Sequence, residues 1–211
     1  NNFKIEIMNS EIKYVLLALN KAPKIEIDKS DVEKLHILYF SADEIAITNT
    51  KLKKVWLLDV KTAKLLFKKN TIRNSPLPEN EIEYVNDSTT YLRNMYYGLM
   101  PFKIISGSNQ ISELQILDNI FESDERQANT FIGASGKSTT IRGNDFQGNL
   151  ILKTQTTSDF ELVDNQFSTV TFRSSLPSTP QNFVNVDWSD ISGKLVWKRD
   201  ENSPTYYGQN N

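Results

Sequence analysis

The chain has 211 residues, 38% of them apolar, and a net charge of −2 from 24 basic and 26 acidic residues. This balance gives no electrostatic basis for binding nucleic acid or an anionic membrane, and it argues against a DNA-mimicking protein, which needs an acidic face. The absence of cysteine excludes disulfides, thiolate metal sites and cysteine nucleophiles. No run of 18 apolar residues occurs, so the sequence predicts no membrane span.

The first eighty residues repeat with a period of 20. Apolar residues recur in register as Ile5, Ile25, Ile45 and Leu65, as Ile7, Ile27, Ile47 and Phe67, and as Ile12, Val32, Leu52 and Ile72. A polar column made of Ser10, Ser30, Thr50 and Asn70 lies between them. A fixed period of this length is typical of stacked-repeat proteins, and the spacing predicts a strand, a polar corner and a second strand in each repeat. We expect this column, and a later one made of Asn119, Asn144 and Asn165, to form hydrogen-bonded ladders at the corners.

A related phrase returns in the second half. It reads LQILDNIF at 114–121, TTIRGNDF at 139–146, FELVDNQF at 160–167 and, in degenerate form, QNFVNVDW at 181–188. The first two copies are 25 residues apart and the later ones 21, so about four extra residues are expected near Asp124 to Gln127. These phrases resemble the parallel beta-helix repeat of right-handed β-helix proteins. That superfamily includes polysaccharide lyases, hydrolases, adhesins, phage tail proteins and inert spacers, so the resemblance implies a fold and leaves the activity open.

The sequence therefore predicts an all-β chain, folded as a single-stranded right-handed parallel β-helix of about eight coils. The predicted domain covers residues 1–200, with a lateral insertion at 73–113, and residues 201–211 are expected to form a polar tail or linker. A leucine-rich repeat is disfavoured, because the position it needs to be apolar holds mostly small or polar residues. A pentapeptide-type four-sided β-helix stays open. Its five-residue step is present at Ile141, Phe146 and Ile151, and the first half lacks that step.

The insertion is rich in aromatic residues. A turn-rich stretch, 75–78, precedes a predicted short helix from Thr89 to Tyr97. One interpretation is that this helix packs its apolar side on the coils. The other is that Tyr91, Tyr96, Tyr97 and Phe102 form an aromatic ledge for a sugar ring or a protein partner. Since inserted segments often carry function, we take these four residues as the candidate ligand-binding site.

Catalytic arrangements are scarce. His36, the only histidine, is predicted to point outward from a coil wall and to be structural. Arg142, Asp145 and Asp164 form the one arrangement that resembles a β-helix active site, and decoration of turns explains it equally well. Elsewhere, aspartates alternate with neutral residues along the predicted columns. We therefore lean against an enzyme and expect no cofactor and no metal.

The predicted function is a non-catalytic β-helix scaffold or binding module of a larger or surface-exposed protein, with a carbohydrate or another protein as partner. The alternative is a polysaccharide lyase or glycoside hydrolase of the β-helix type. A first coil without a cap and a polar tail favour an extracellular, periplasmic or cell-surface location. A cytoplasmic location stays open, because the absence of cysteine is neutral on this point.

Overall fold

The computed structural model describes residues 3–73, 102–105, 110–122, 129–133, 138–154, 159–174, 191–199 and 205–208. Within these ranges the regular secondary structure consists of β-strands alone. The strands form two sheets, and as far as β16 the chain alternates between them. The predicted parallel β-helix solenoid is confirmed.

Sheet A has seven strands, which are β1 (Ile5–Met8), β3 (Lys21–Asp28), β5 (Ser41–Thr48), β7 (Lys61–Lys68), β10 (Ile111–Leu117), β13 (Ser138–Arg142) and β15 (Asp159–Val163). Sheet B has eleven, which are β2 (Glu11–Ala18), β4 (Asp31–Leu38), β6 (Lys51–Leu58), β8 (Thr71–Arg73), β9 (Phe102–Ile105), β11 (Ile120–Glu122), β12 (Asn129–Gly133), β14 (Asp145–Thr154), β16 (Gln166–Ser174), β17 (Ile191–Arg199) and β18 (Thr205–Gly208).

Strands one period apart pair in parallel, so equivalent residues of successive coils stack directly. Ile25 of β3 is the partner of both Ile5 and Ile45, and Val32 of β4 is the partner of both Ile12 and Leu52. This stacking of like residues explains the 20-residue period. The last strand differs, because β18 pairs antiparallel with β17. Part of the predicted polar tail is therefore a strand.

Inward-facing residues follow two interleaved series with a step of five residues. One series is Ile25, Ser30, Leu35, Phe40, Ile45, Thr50, Val55 and Val60, and the other is Ile27, Val32, Ile37, Ala42, Ile47, Leu52 and Leu57. All are buried except Ala42, which is partly buried. The expectation that the first half lacks a five-residue step was wrong. Ser30 and Thr50 fill inward positions at the corners and interrupt the apolar pattern of the first series, whereas the second series is apolar throughout and shows the step in the sequence itself.

The insertion leaves sheet B in the middle of a strand. Ile72 in β8 pairs with Leu52, and Phe102 in β9 pairs with Val55, so β8 and β9 both continue the register of β6. Residues 74–101 therefore leave and rejoin the coil at one position of a regular strand. The predicted range of 73–113 is too long, because Arg73, β9 and the start of β10 belong to the coils. The predicted helix from Thr89 to Tyr97 lies outside the described residues.

A second interruption occurs at the same place in the next coil. Strand β11 ends at Glu122 and pairs with β8, while β12 begins at Asn129 and its Thr130 pairs with Phe102. Residues 123–128 lie between these two strands, in the stretch where the sequence predicted extra residues. Both interruptions fall within the path of a sheet B strand.

Candidate functional site

A continuous polar ladder follows the corner where each coil passes from sheet A to sheet B. Each backbone N–H donates to the side-chain oxygen one coil further on, at 2.9–3.4 Å. The ladder consists of Ser10, Ser30, Thr50, Asn70, Asn119, Asn144 and Asn165. The two columns predicted from sequence are thus one ladder, and its role in satisfying turn backbone groups is confirmed.

The side chains of the ladder make a second set of bonds. The hydroxyls of Ser30 and Thr50 donate to the backbone carbonyl two residues earlier, at 2.9 and 2.8 Å. The amide of Asn119 donates to the carbonyl of Phe67 at 3.1 Å and to Asn144 Oδ1 at 2.9 Å. Because the ladder residues from Ser30 onward are buried, each of these bonds replaces one to water. The corner is held together by groups that could otherwise contact a ligand.

An aromatic and cationic cluster lies on the outer wall of sheet B. The imidazole of His36 stacks on the indole of Trp56, with ring centroids 4.8 Å apart and an interplanar angle of 6°. Tyr14 Oη lies 3.0 Å from His36 Nδ1. The ammonium groups of Lys54 and Lys103 lie 3.8 and 3.4 Å from the indole centroid. We call these five residues the wall cluster; contacts of this cation–π kind stabilise most when they are desolvated.

The wall cluster is buried except for Tyr14, and burial governs its electrostatics. His36 is 2% exposed, and its Nε2 atom has no hydrogen-bond partner. Burial, together with the positive charges of Lys54, Lys103 and Lys34, lowers the pKa of His36 to about 4. The imidazole is therefore neutral at pH 7. His36 lies on the outer side of its strand, as predicted, and its burial there is not apparent from the sequence.

The outer face of sheet A is different, because ion pairs cover it. Lys4 lies 2.8 Å from Glu26, and Lys24 lies 3.4 Å from Glu26 and 3.5 Å from Glu44. These side chains stay roughly a quarter to two fifths exposed. Lys53 and Glu33 form a 2.6 Å pair on sheet B, also in solvent. Exposed pairs of this kind contribute little to stability.

The structure places the three candidate catalytic residues on adjacent coils. Asp145 pairs with Ile120 on one side and Gln166 on the other, so neutral residues flank it as predicted. Gln147 Nε2 donates to Asp145 Oδ2 at 3.2 Å. Arg142 and Asp164 are exposed, and Asp164 has the left-handed φ of its corner column. In the described ranges no three His, Cys, Asp or Glu side chains are grouped so as to hold a metal ion.

Phe102, one of the four candidate ligand-binding residues, is a core residue. It is 0% exposed, and its ring packs edge-on against Phe67 and Phe121, with centroids 5.4 and 5.1 Å apart. It is therefore unavailable for an aromatic ledge. The inward position of Phe102 follows from the strand register. Phe102 is the first residue of β9 and pairs with Val55 of β6, and Val55 faces inward. Tyr91, Tyr96 and Tyr97 lie outside the described residues, so that part of the site stays a prediction.

A shallow groove of about 580 Å³ runs along the start of the sheet A strands. Its floor is made of small side chains, Ala22, Ala42 and Thr62, which stack in register. Lys21, Lys61 and other polar residues line its sides. In the sequence, the column of Ala22, Ala42 and Thr62 is recognisable only because large apolar residues are absent from these positions.

No protein-family model, curated protein or solved structure matches this chain. In the ranges given above, no helix has the length and apolar character needed to cross a membrane.

Proposed function

We propose that this chain is a non-catalytic β-helix scaffold or binding module of a larger or surface-exposed protein. The observation that carries the proposal is that the polar side chains of the ladder are buried in hydrogen bonds between coils. From Ser30 to Asn165, the ladder residues bond to neighbouring coils and are buried, so they stabilise the stack and face no substrate. His36 is buried and poorly basic, which makes it unsuited to proton transfer near pH 7.

The proposal includes a finer assignment of the coils. We assign them to the right-handed parallel β-helix superfamily, in a form close to divergent pentapeptide repeats. The two five-residue series of inward positions support this form, since each 20-residue coil then contains four equivalent sides. Because fold does not fix function, this assignment leaves the partner open.

For the partner we propose a carbohydrate bound by the inserted segment that carries Tyr91, Tyr96 and Tyr97. Aromatic rings offer flat apolar faces with a polar edge, and sugar rings stack on such faces. A protein partner is the other proposal. The location that fits this function is extracellular, periplasmic or at the cell surface.

A glycan array combined with a lyase assay on acidic polysaccharides in the presence of Ca²⁺ tests the proposal. We expect glycan binding that is lost in a Tyr96→Ala, Tyr97→Ala double variant and kept in Tyr39→Ala, which alters an exposed tyrosine of a regular coil. Binding that survives the double variant and is lost in Lys61→Ala would place the ligand in the groove. Calcium-dependent cleavage that is lost in Asp145→Ala would overturn the proposal in favour of the enzyme around Arg142, Asp145 and Asp164.

A further inference from the structure

The groove on sheet A has two walls of different chemistry. One wall follows the first residue of each strand, with Lys21, Ser41 and Lys61 on successive coils. The other wall follows the third residue, and on the middle one of these coils that residue is Asp43. All four side chains are exposed. Residues two apart on a strand are separated by at most about 7 Å, so a ligand in the groove contacts both walls.

The groove keeps its opposite charges apart. In the described ranges, Lys21, Asp43 and Lys61 form no ion pair. Three residues further along the same strand, Lys24 contacts Glu44 of the next coil at 3.5 Å. Sheet A therefore pairs its charges beside the groove and leaves the charges that line the groove accessible to a ligand.

The charges alternate in sign along the groove. Lys21 and Lys61 lie two coils apart, which is roughly 10 Å. The coil between them contributes the neutral Ser41 to the same wall and the negative Asp43 to the opposite wall. A linear ligand that lies along the groove therefore meets positive, negative and positive charge in turn. This order favours a ligand with one negative charge about every 10 Å and disfavours one with a charge about every 5 Å.

A sugar chain has a repeat that matches the coils. One pyranose unit of an extended glycan is about as long as one strand spacing, roughly 5 Å, so one sugar fits on each coil. Acidic groups on alternate sugars then reach Lys21 and Lys61. Ser41 and Ser112 offer hydroxyl groups, and Phe3, at the end of the groove on the first coil, is 68% exposed. The apolar face of a sugar ring packs well against such an aromatic face.

An extended peptide fits the groove less well. Strands β3, β5 and β7 each pair with a neighbour on both sides, so the groove offers no sheet edge to which a peptide strand could add. A peptide strand also advances by only about 3.3 Å per residue, so its side chains fall out of step with the coils.

We propose that this groove binds a linear acidic polysaccharide that carries a carboxylate or sulfate group on alternate sugars. Lys21 and Lys61 each contact one acidic group, and Asp43 repels a charge on the sugar between them. The inference rests on the proposed function as a binding module. It adds a glycan site on the regular coils, separate from the inserted segment, and it names the class of ligand.

The first experiment tests the ligand class by calorimetric titration of the full chain at low ionic strength. The probes are three hexasaccharides: hyaluronan, with a carboxylate on alternate sugars, oligogalacturonate, with one on every sugar, and neutral chitin oligosaccharide. We expect hyaluronan to bind about tenfold more tightly than either of the others. Equal or tighter binding of oligogalacturonate would overturn the proposal, as would a failure of hyaluronan to bind. A polyglutamate peptide that binds more tightly than hyaluronan would overturn it in favour of a protein partner.

The second experiment tests the two lysines. The double variant Lys21→Gln, Lys61→Gln should bind hyaluronan roughly tenfold more weakly, because each exposed contact contributes up to about fivefold. The matched control is Lys29→Gln, Lys69→Gln, which removes two exposed charges from the same two coils at the corner between sheets A and B. Both double variants have the same net charge. An equal loss in the two would show nonspecific attraction and overturn the proposal.

The third experiment tests the charge between the lysines. Asp43→Asn should strengthen oligogalacturonate binding by up to about fivefold, because it removes a repulsion between exposed carboxylates. Hyaluronan binding should stay the same, since its sugar at this coil is neutral. An unchanged ratio of the two affinities would contradict the role of Asp43 and the alternating pattern with it.

A last variant separates this inference from the proposed function. Hyaluronan binding should survive in the Tyr96→Ala, Tyr97→Ala double variant, because the groove is built from regular coils. Binding that is lost in this variant and kept in Lys21→Gln, Lys61→Gln would overturn the groove site and leave the proposed function standing.

Discussion

The two corners of each coil use the same backbone geometry and opposite chemistry. At both corners a residue with left-handed φ precedes a buried one: Lys29 precedes Ser30 at the first corner, and Tyr39 precedes Phe40 at the second. The corner from sheet A to sheet B, the polar corner, holds the hydrogen-bonded ladder. The corner from sheet B to sheet A, the apolar corner, holds Phe40 and Val60.

The two corners also differ in how well they keep their length. In the described part of the chain, the polar corner occurs in seven coils and has two residues between strands in each of them, from Met8–Glu11 to Val163–Gln166. The apolar corner has two residues only in the first three coils, and later connections have five or four. A ladder bond must span one strand spacing in a fixed direction, so an added residue would break two rungs. Apolar contact is non-directional and tolerates such changes.

The largest effect that this comparison predicts is at the apolar corner. Phe40→Ala removes a large, fully packed side chain and should lower the free energy of unfolding by about 3–5 kcal/mol. Phe40→Leu should restore most of this loss, because the position requires volume and no hydrogen bond. Urea denaturation followed by circular dichroism measures both. A leucine variant as unstable as the alanine variant would show that shape at this corner is as demanding as hydrogen bonding.

The polar corner should respond in the opposite way. Asn119→Ala leaves the buried N–H of Asn70 without its acceptor and should cost about 2–4 kcal/mol. Asn119→Leu should be no better than alanine. Asn119→Ser should recover part of the loss, since a hydroxyl oxygen accepts the equivalent bond at Ser30. Denaturation of the three variants checks the order, and full recovery by leucine would contradict the ladder's role.

The sequence predicts the polar corner better than the apolar corner. The polar ladder was predicted because hydrogen-bonding residues repeat with a period of 20 from Ser10 to Asn70 and recur as Asn119, Asn144 and Asn165 in the related phrases of the second half. The inward place of Phe40 was not, because the equivalent residues Asn20, Phe40 and Val60 do not share one chemical type from coil to coil. The wall cluster was missed for a related reason. Alternation places His36, Trp56 and Lys54 on an outer face, and sequence alone does not tell what covers that face.

A smaller effect is expected in the left-handed column of the polar corner. Gly143 has a φ of +66°, and a Cβ atom added there would lie 2.6 Å from Asp118 Oδ1. Gly143→Ala combines the left-handed cost with movement of that carboxylate and should cost about 1–2 kcal/mol. Lys69→Gly, at a non-glycine residue of the same column, should be near neutral. Thermal denaturation compares them, and an alanine variant as stable as the parent would show that the column adapts freely.

Acid should weaken the polar corner and spare the apolar one. Asp28 accepts hydrogen bonds from Asn49 at 2.7 Å and from Thr48 at 2.6 Å, and these lower its pKa below the ordinary value of 3.8. The folded state therefore binds this proton less readily than the unfolded state. Its contribution is present above pH 3.8 and is lost as the pH falls through the lowered pKa. Denaturation at a series of acidic pH values should show a shallower loss in Asp28→Asn, and identical profiles would exclude this contribution.

The smallest effect should come from the open end of the ladder. Ser10 is the first rung: its N–H donates to Ser30 Oγ and its hydroxyl donates to the carbonyl of Met8, but its side chain is not buried. Ser10→Ala should cost no more than about 0.5 kcal/mol, because water replaces the lost bond at an exposed site. Ser30→Ala removes the same hydroxyl one coil inward, where it is buried, and should cost about 1–3 kcal/mol through the orphaned Ser10 N–H and Asp28 carbonyl. Equal losses in the two variants would mean that burial does not set the strength of the rungs, and the distinction between the two corners would then rest on turn geometry alone.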